Sequence, residues 1–168
     1  MEIREVRPEE YDEAGRVTAL AYREFAPRND PDWEEYLGEI GDVRARASVT
    51  TVLVAVEDGK ILGTATLELD HKVPGSDSER TLAPEEAHIR MLGVDPSARG
   101  RGAGRALVEA CIEMARARGK RFVALSTTRV MIVARGMYER MGFKAWPERD
   151  RHFENDFVLY AYRYPLES

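Results

Sequence analysis

The clearest chemical signal in the sequence runs from Val94 to Arg105: Val94-Asp95-Pro96-Ser97-Ala98-Arg99-Gly100-Arg101-Gly102-Ala103-Gly104-Arg105. An apolar strand enters a glycine-rich turn, and the turn opens a helix. Glycines remove Cβ and let backbone N–H groups approach a ligand closely. The first turn of a helix leaves N–H groups unpaired and carries a partial positive charge. Together these features make an anion site suited to phosphate. Arg99, Arg101 and Arg105 add formal charge around it. Two common phosphate signatures do not fit. No Gly-Lys-Ser/Thr follows, so the segment is not a nucleotide P-loop. The dinucleotide pattern G-x-G-x-x-G accepts Gly100 and Gly102 but meets Arg105 at its third glycine. The next strand also ends in Ser126-Thr127-Thr128, where that pattern needs an acid.

About 35 residues further on stands a second segment, Ala134-Arg135-Gly136-Met137-Tyr138-Glu139-Arg140-Met141-Gly142-Phe143. Arg99 to Gly104 resembles the R/Q-x-x-G-x-G/A loop of the GCN5-related N-acetyltransferase (GNAT) family, and Val94 stands five residues before Arg99, as in that family. The second segment is similar to the family's A-x-x-x-Y-x-x-x-G-F signature. The two together are far more specific than either alone.

The resemblance implies an α/β fold, with a mixed sheet of about seven strands flanked by about four helices. It implies acetyl-CoA as acyl donor and direct attack by an amine acceptor in a ternary complex. The cofactor diphosphate would lie on the N–H groups from Arg101 to Arg105, within the loop Arg99, Gly100, Arg101, Gly102, Ala103, Gly104 and Arg105. The pantetheine arm would pair as an extra strand with Leu92, Gly93 and Val94. The bare Gly93 suits close approach, and the Leu92 N–H is the candidate to polarise the thioester carbonyl. Tyr138 is the candidate acid for the leaving thiolate, since a phenol of pKa about 10 can protonate the anion of a thiol of pKa about 8.5. The other reading of Tyr138 is a core aromatic on the last turn of a helix. By strand alternation Glu86, His88, Arg90 and Leu92 share one face. His88 falls where some family members carry a general base, Glu86 is the second candidate working through a water, and a histidine packed within the sheet is the alternative. Met131 departs from the family, which often has Asn there.

The elements that must position these residues are legible. Glu2 to Arg7 reads as a short strand. Pro8 suits the first turn of a helix that runs to about Phe25. Asp30-Pro31 is a second start signal, followed by Trp33, Tyr36, Leu37 and Ile40 at helical spacing. Val49 to Val56 and Ile61 to Leu69 form a hairpin around Asp58-Gly59. Residues 72 to 85 read as a loop, and His88 to Val94 as a strand. Leu107, Val108, Cys111, Ile112 and Ala115 mark one helix face, closed by Gly119. Phe122 to Leu125 is a buried strand, Val130 to Met141 a helix, and Phe143 to Trp146 and Phe157 to Tyr164 are closing strands.

Composition bounds the rest. The chain has 168 residues, expected as one domain over 1–168. No apolar run approaches the roughly 18 residues of a membrane helix, and acids at Glu2, Glu5, Glu9 and Glu10 argue against a secretory signal. A single cysteine, Cys111, excludes an internal disulfide, and no Cys/His cluster suggests a metal. A cytoplasmic protein is the expectation. Net charge is −5, unevenly placed: Arg99 to Arg151 carries 13 Lys/Arg against 5 Asp/Glu, a net of +8, and the rest 12 against 25, a net of −13. The basic half asks for an anion. It lacks the aromatic interleaving of a nucleic-acid binder, which disfavours that partner. Residues 24 to 42 hold seven acids and one base, and residues 68 to 86 six acids and two bases. An acidic mouth beside a basic groove favours a cationic amine acceptor; a solvated acidic face is the alternative. A non-catalytic acyl-CoA-binding module is the competing function. A homodimer through the aromatic strand 157–164 is compatible with the sequence.

Overall fold

The computed structural model describes residues 1–25, 31–70, 82–153 and 157–166. Residues 72–81 of the expected loop at 72–85, and Asp30 of the expected helix start, lie outside those residues. Strand β1 (Glu2–Glu5) leads through a short 3-10 turn at Pro8–Glu10 into α1 (Tyr11–Arg23). Then follow α2 (Pro31–Ile40), α3 (Val43–Ala47), β2 (Thr51–Glu57), β3 (Lys60–Glu68) and β4 (Glu86–Val94). The remainder is α4 (Ala103–Ala117), β5 (Phe122–Thr127), α5 (Ile132–Met141), β6 (Lys144–Ala145), β7 (Arg151–His152) and β8 (Val158–Pro165).

The strands form one sheet in the order β1-β2-β3-β4-β5-β8-β6, with β7 also on β8. Every pair is antiparallel except β4–β5. The β2–β3 hairpin turns at Asp58 and Gly59, both at positive φ (52° and 75°), the turn geometry that matches strand twist and that Asp-Gly favours. Two apolar layers cover the sheet. On one face Ala14 and Val17 of α1 and Val43 of α3 pack on Val52, Val54 and Ile61. On the other, the α4 stripe Leu107, Val108, Cys111, Ile112 and Ala115 packs on the strands with Tyr138 and Phe143.

Three details differ from the sequence expectation. The helix expected from Pro8 begins at Tyr11, because the first three residues wind as a 3-10 turn. Five residues, Val43–Ala47, form an extra helix capped by the Asp42 carboxylate on the Ala45 N–H at 3.2 Å. The closing stretch after Phe143 pairs over only two residues, Lys144–Ala145, before a proline breaks it. The aromatic strand considered for a dimer is β8, whose backbone pairs β5 on one side and β6 and β7 along parts of the other.

Candidate active site

Strands β4 and β5 pair only from Glu86–Phe122 to Ile89–Leu125, and beyond that they part. The cause lies in β4. Between Thr64↔Gly93 and Thr66↔Arg90, β3 advances two residues while β4 advances three. The extra residue makes a bulge, and Met91 takes φ 51°, a conformation rare for a non-glycine residue. The parting strands open a cleft of about 1160 Å³. Its walls include Arg90, Met91, Leu92, Gly93 and Val94 from β4, Ser126 and Thr127 from the end of β5, and Thr128 after it. The bulge also ends the simple alternation that placed Leu92 on the face of His88 and Arg90.

At one end the cleft meets the glycine loop. Gly100 and Gly102 sit at φ 83° and 85°, and nothing lies within 4 Å of a Cβ built on either. They therefore form an open cradle at the start of α4, whose N-cap is Gly102. Arg99, Gly100, Gly102, Ala103, Gly104 and Arg105 line the cleft. Arg101 does not; its guanidinium reaches away to Glu57 at 3.4 Å. Arg105 pairs with Glu109 at 2.8 Å on its own helix, and Arg99 is ion-paired to Glu24 just past α1. Gly93 has a different reason to be bare than close approach of a ligand. A Cβ there would meet Ala21 Cβ at 2.7 Å, so the missing side chain seats α1.

On the far wall stands Tyr138, only 6% exposed yet part of the cleft lining. Its ring leans on Phe143 at 5.7 Å between centroids. The following Gly-Phe explains this posture. Gly142 ends α5 at φ 106°, and the Phe143 N–H returns to the Tyr138 carbonyl at 2.9 Å. Burial raises the phenol above its usual range, with the nearby Cys111 adding to it, so it keeps its proton at neutral pH. Cys111 is fully buried and its thiol is pushed up to about 12, which leaves it an inert core residue.

Beneath the opening lies a polar group on the face that α1 covers. His88 Nδ1 is 3.3 Å from Glu68 Oε1, and Arg90 Nη1 is 3.7 Å from Glu68 Oε2. Glu68 is the register partner of His88 across β3–β4. Glu86, the second candidate base, is placed elsewhere. It is buried at the start of β4, ion-paired with Arg149, and accepts the Ala83 N–H at 3.2 Å. It is absent from the cleft lining, whereas His88 and Arg90 are in it. The structure thus brings His88 and Tyr138 to one cavity and leaves Glu86 outside it.

The acetyltransferase (GNAT) family model matches residues 11–143. The chain belongs to that family. A mycothiol acetyltransferase of Cellulomonas flavigena is 34% identical over 143 residues, 74% of this chain and 40% of that protein. A glucosamine 6-phosphate N-acetyltransferase of Trypanosoma brucei brucei is 34% identical over 110 residues, 65% of this chain and 69% of that protein. Among solved structures, a GNAT family acetyltransferase from Brucella melitensis in complex with acetyl-CoA superposes with a TM-score of 0.66 at 24% identity, covering 99% of this chain and 88% of that one. The chain spans well under two thirds of the mycothiol relative's length.

Within this GNAT fold the sequence reading passed over Glu68. Its signal was present: Thr64, Thr66 and Glu68 alternate as polar residues in the otherwise apolar β3, and all three are buried. Among the described residues two buried hydroxyls in the parted region, Thr127 Oγ1 and Thr128 Oγ1, have no hydrogen-bond partner. A long polar ligand in the cleft would supply one. The open glycine cradle, the parted strand edge and these hydroxyls together fit the phosphate and amide groups of a coenzyme A ester.

Proposed function

We propose that the protein is an acetyl-CoA-dependent N-acetyltransferase acting on an amine. One observation carries this reading: a single cleft joins the open glycine cradle to His88 on one side and Tyr138 on the other. Acetyl-CoA, when bound, supplies an acyl group already activated as a thioester. The N–H groups from Gly102 to Arg105 receive the diphosphate at the start of α4. The free side of β4 from Leu92 to Val94 offers backbone partners to the amide-bearing arm. The Leu92 N–H, just past the bulge, is the candidate donor for the acyl oxygen.

His88 accepts the proton that the attacking amine must lose, and Glu68 fixes the imidazole through Nδ1, leaving Nε2 as the basic atom. Tyr138 Oη donates to the departing sulfur. Its raised pKa keeps the donor form fully populated and makes it a weaker acid, so it acts as a hydrogen-bond donor to developing charge. Among the described residues no helix is long and apolar enough to cross a membrane. A cytoplasmic location and a single catalytic domain belong to the same proposal.

The test is a thermal melt with acetyl-CoA, NAD or ATP, followed by thiol release with a mixture of amines. A ligand at 100 times its dissociation constant stabilises by about 2.7 kcal/mol, an increase of about 5–10 °C in a domain of this size. A shift with acetyl-CoA and amine-dependent thiol release is the expected result. A shift without release from any amine would favour the acyl-CoA-binding module. No shift at millimolar acetyl-CoA would overturn the reading.

A further inference from the structure

Next to His88 the cleft wall carries the cation of Arg90. Arg90 and His88 are two residues apart on one face of β4, before the bulge, and Thr66 is the register partner of Arg90. A second guanidinium, Arg46, itself outside the cleft lining, approaches Thr66 from α3. Arg46 Nε lies 3.3 Å from Thr66 Oγ1, and its Nη1 donates to the Glu39 carbonyl at 2.9 Å. Burial, and then the charge of Arg90, lowers Arg46 to about 10. Thr66 thus links the two guanidiniums, hydrogen-bonded to Arg46 and paired in register with Arg90. Of the acids near them, Glu68 is shared between Arg90 and His88, Asp42 caps the Ala45 N–H, and Asp32 lines the same cleft. Tyr22, on α1, ties this place to the reaction centre. It lines the same cleft as Arg90 and Tyr138.

We infer that Arg90, backed by Arg46, is a subsite for an anionic group on the acceptor, a carboxylate or a phosphate placed a short spacer from the amine. This rests on the acetyltransferase reading and deepens it. Residues two apart on a strand are about 6.7 Å apart, so an amine at His88 and an anion at Arg90 belong to one small molecule. Guanidinium is the group that holds carboxylate or phosphate best, by paired N–H donors. The acceptor then has the opposite sign to the one expected from the acid count. Part of that acidity is spent within the fold: Glu68 and Glu86 are both buried and ion-paired.

Two measurements test the subsite. The first uses protein saturated with acetyl-CoA, so that the glycine loop is filled. It is titrated with inorganic phosphate against chloride at matched ionic strength. The melt is expected to rise by a few degrees in the native protein and not in Arg90→Gln or Arg46→Gln, with Arg90→Lys restoring part of the rise. The second compares O-phosphoethanolamine with ethanolamine, and β-alanine with its amide, with spermidine as a cation. The anionic member of each reacting pair is expected to have a kcat/KM at least about tenfold higher, and Arg90→Gln to erase the preference. No phosphate-dependent rise, or a rise that survives both Gln substitutions, overturns the subsite. So does a preference for ethanolamine, the amide or spermidine. Failure of the acetyltransferase reading itself shows separately, as no melt shift with acetyl-CoA alone.

Discussion

His88 and Glu68 face each other across β3 and β4, Nδ1 to Oε1 at 3.3 Å, both almost wholly buried. A carboxylate on one ring nitrogen fixes which nitrogen faces the cleft. His88→Gln is expected to lower kcat by roughly 10²-fold, the usual range for a lost base, with the KM for acetyl-CoA unchanged. Glu68→Gln keeps the shape, loses the charge, and should lower kcat by a smaller factor. Steady-state kinetics at fixed saturating acetyl-CoA separates the two effects. Full activity in His88→Gln would remove it from the mechanism.

Glu86 provides the contrast. Its ion pair with Arg149 and its bond from the Ala83 N–H hold the start of β4. Glu86→Gln is expected to cost stability, on the order of 3 kcal/mol for one broken buried pair, while kcat of the folded fraction stays within about twofold. Urea midpoints beside specific activity decide this, and a selective loss of kcat would return Glu86 to the chemistry.

Tyr138→Phe removes one oxygen and leaves the packing on Phe143. Turnover should fall by about 10²-fold or more with acetyl-CoA binding intact. Calorimetric titration of the variant with acetyl-CoA checks the second half. Undiminished turnover would leave Tyr138 as a core aromatic.

Arg99 is ion-paired with Glu24. An incoming diphosphate must compete with that carboxylate. Glu24→Gln should therefore tighten acetyl-CoA binding by a few-fold, an exposed pair being worth up to about 1 kcal/mol, and the gain should shrink at high salt. Weaker binding in the variant would contradict this.

Stability should depend on pH from the alkaline side. Burial raises Tyr22, Tyr138 and Cys111 above their ordinary values. Each is an acid that the fold keeps protonated, so above the unfolded values, about 8.5 for thiol and 10 for phenol, the folded state holds more protons than the unfolded chain. Stability is then level below about pH 8 and declines as pH rises beyond it. At the acid end, Glu10 is held at about 2 by hydrogen bonds from Arg4. It contributes stability above its unfolded value that is lost as pH falls toward 2. Urea midpoints from pH 2 to 10.5 trace both limbs, and a flat alkaline limb contradicts the first.

The two halves of the site were unequally legible in the sequence. The cradle and Tyr138 lie in contiguous segments, where glycine spacing and helix signals are local. Arg101 shows the limit of that reading: it stands within the motif, but its side chain reaches Glu57 on a strand far away in sequence. The acceptor half is assembled from β3, β4, α1 and α3, so Glu68, Arg46 and Tyr22 meet only through the sheet register. The bulge was invisible because Met91 is not a residue that announces positive φ. Gly93 was noticed, but its neighbour on α1, Ala21, could not be inferred from spacing.

The parted end of β4 and β5 also fixes a thermodynamic character for binding. Beyond Ile89, β4 pairs on the β3 side alone, so its other edge is open to water. An arm that takes that water's place exchanges one set of hydrogen bonds for another and orders itself along the strand. Association of the donor should then release heat and lose entropy, with apolar burial adding only a modest negative change in heat capacity. On the proposed mode of binding, the sheet is completed by a reactant that is renewed at every turnover.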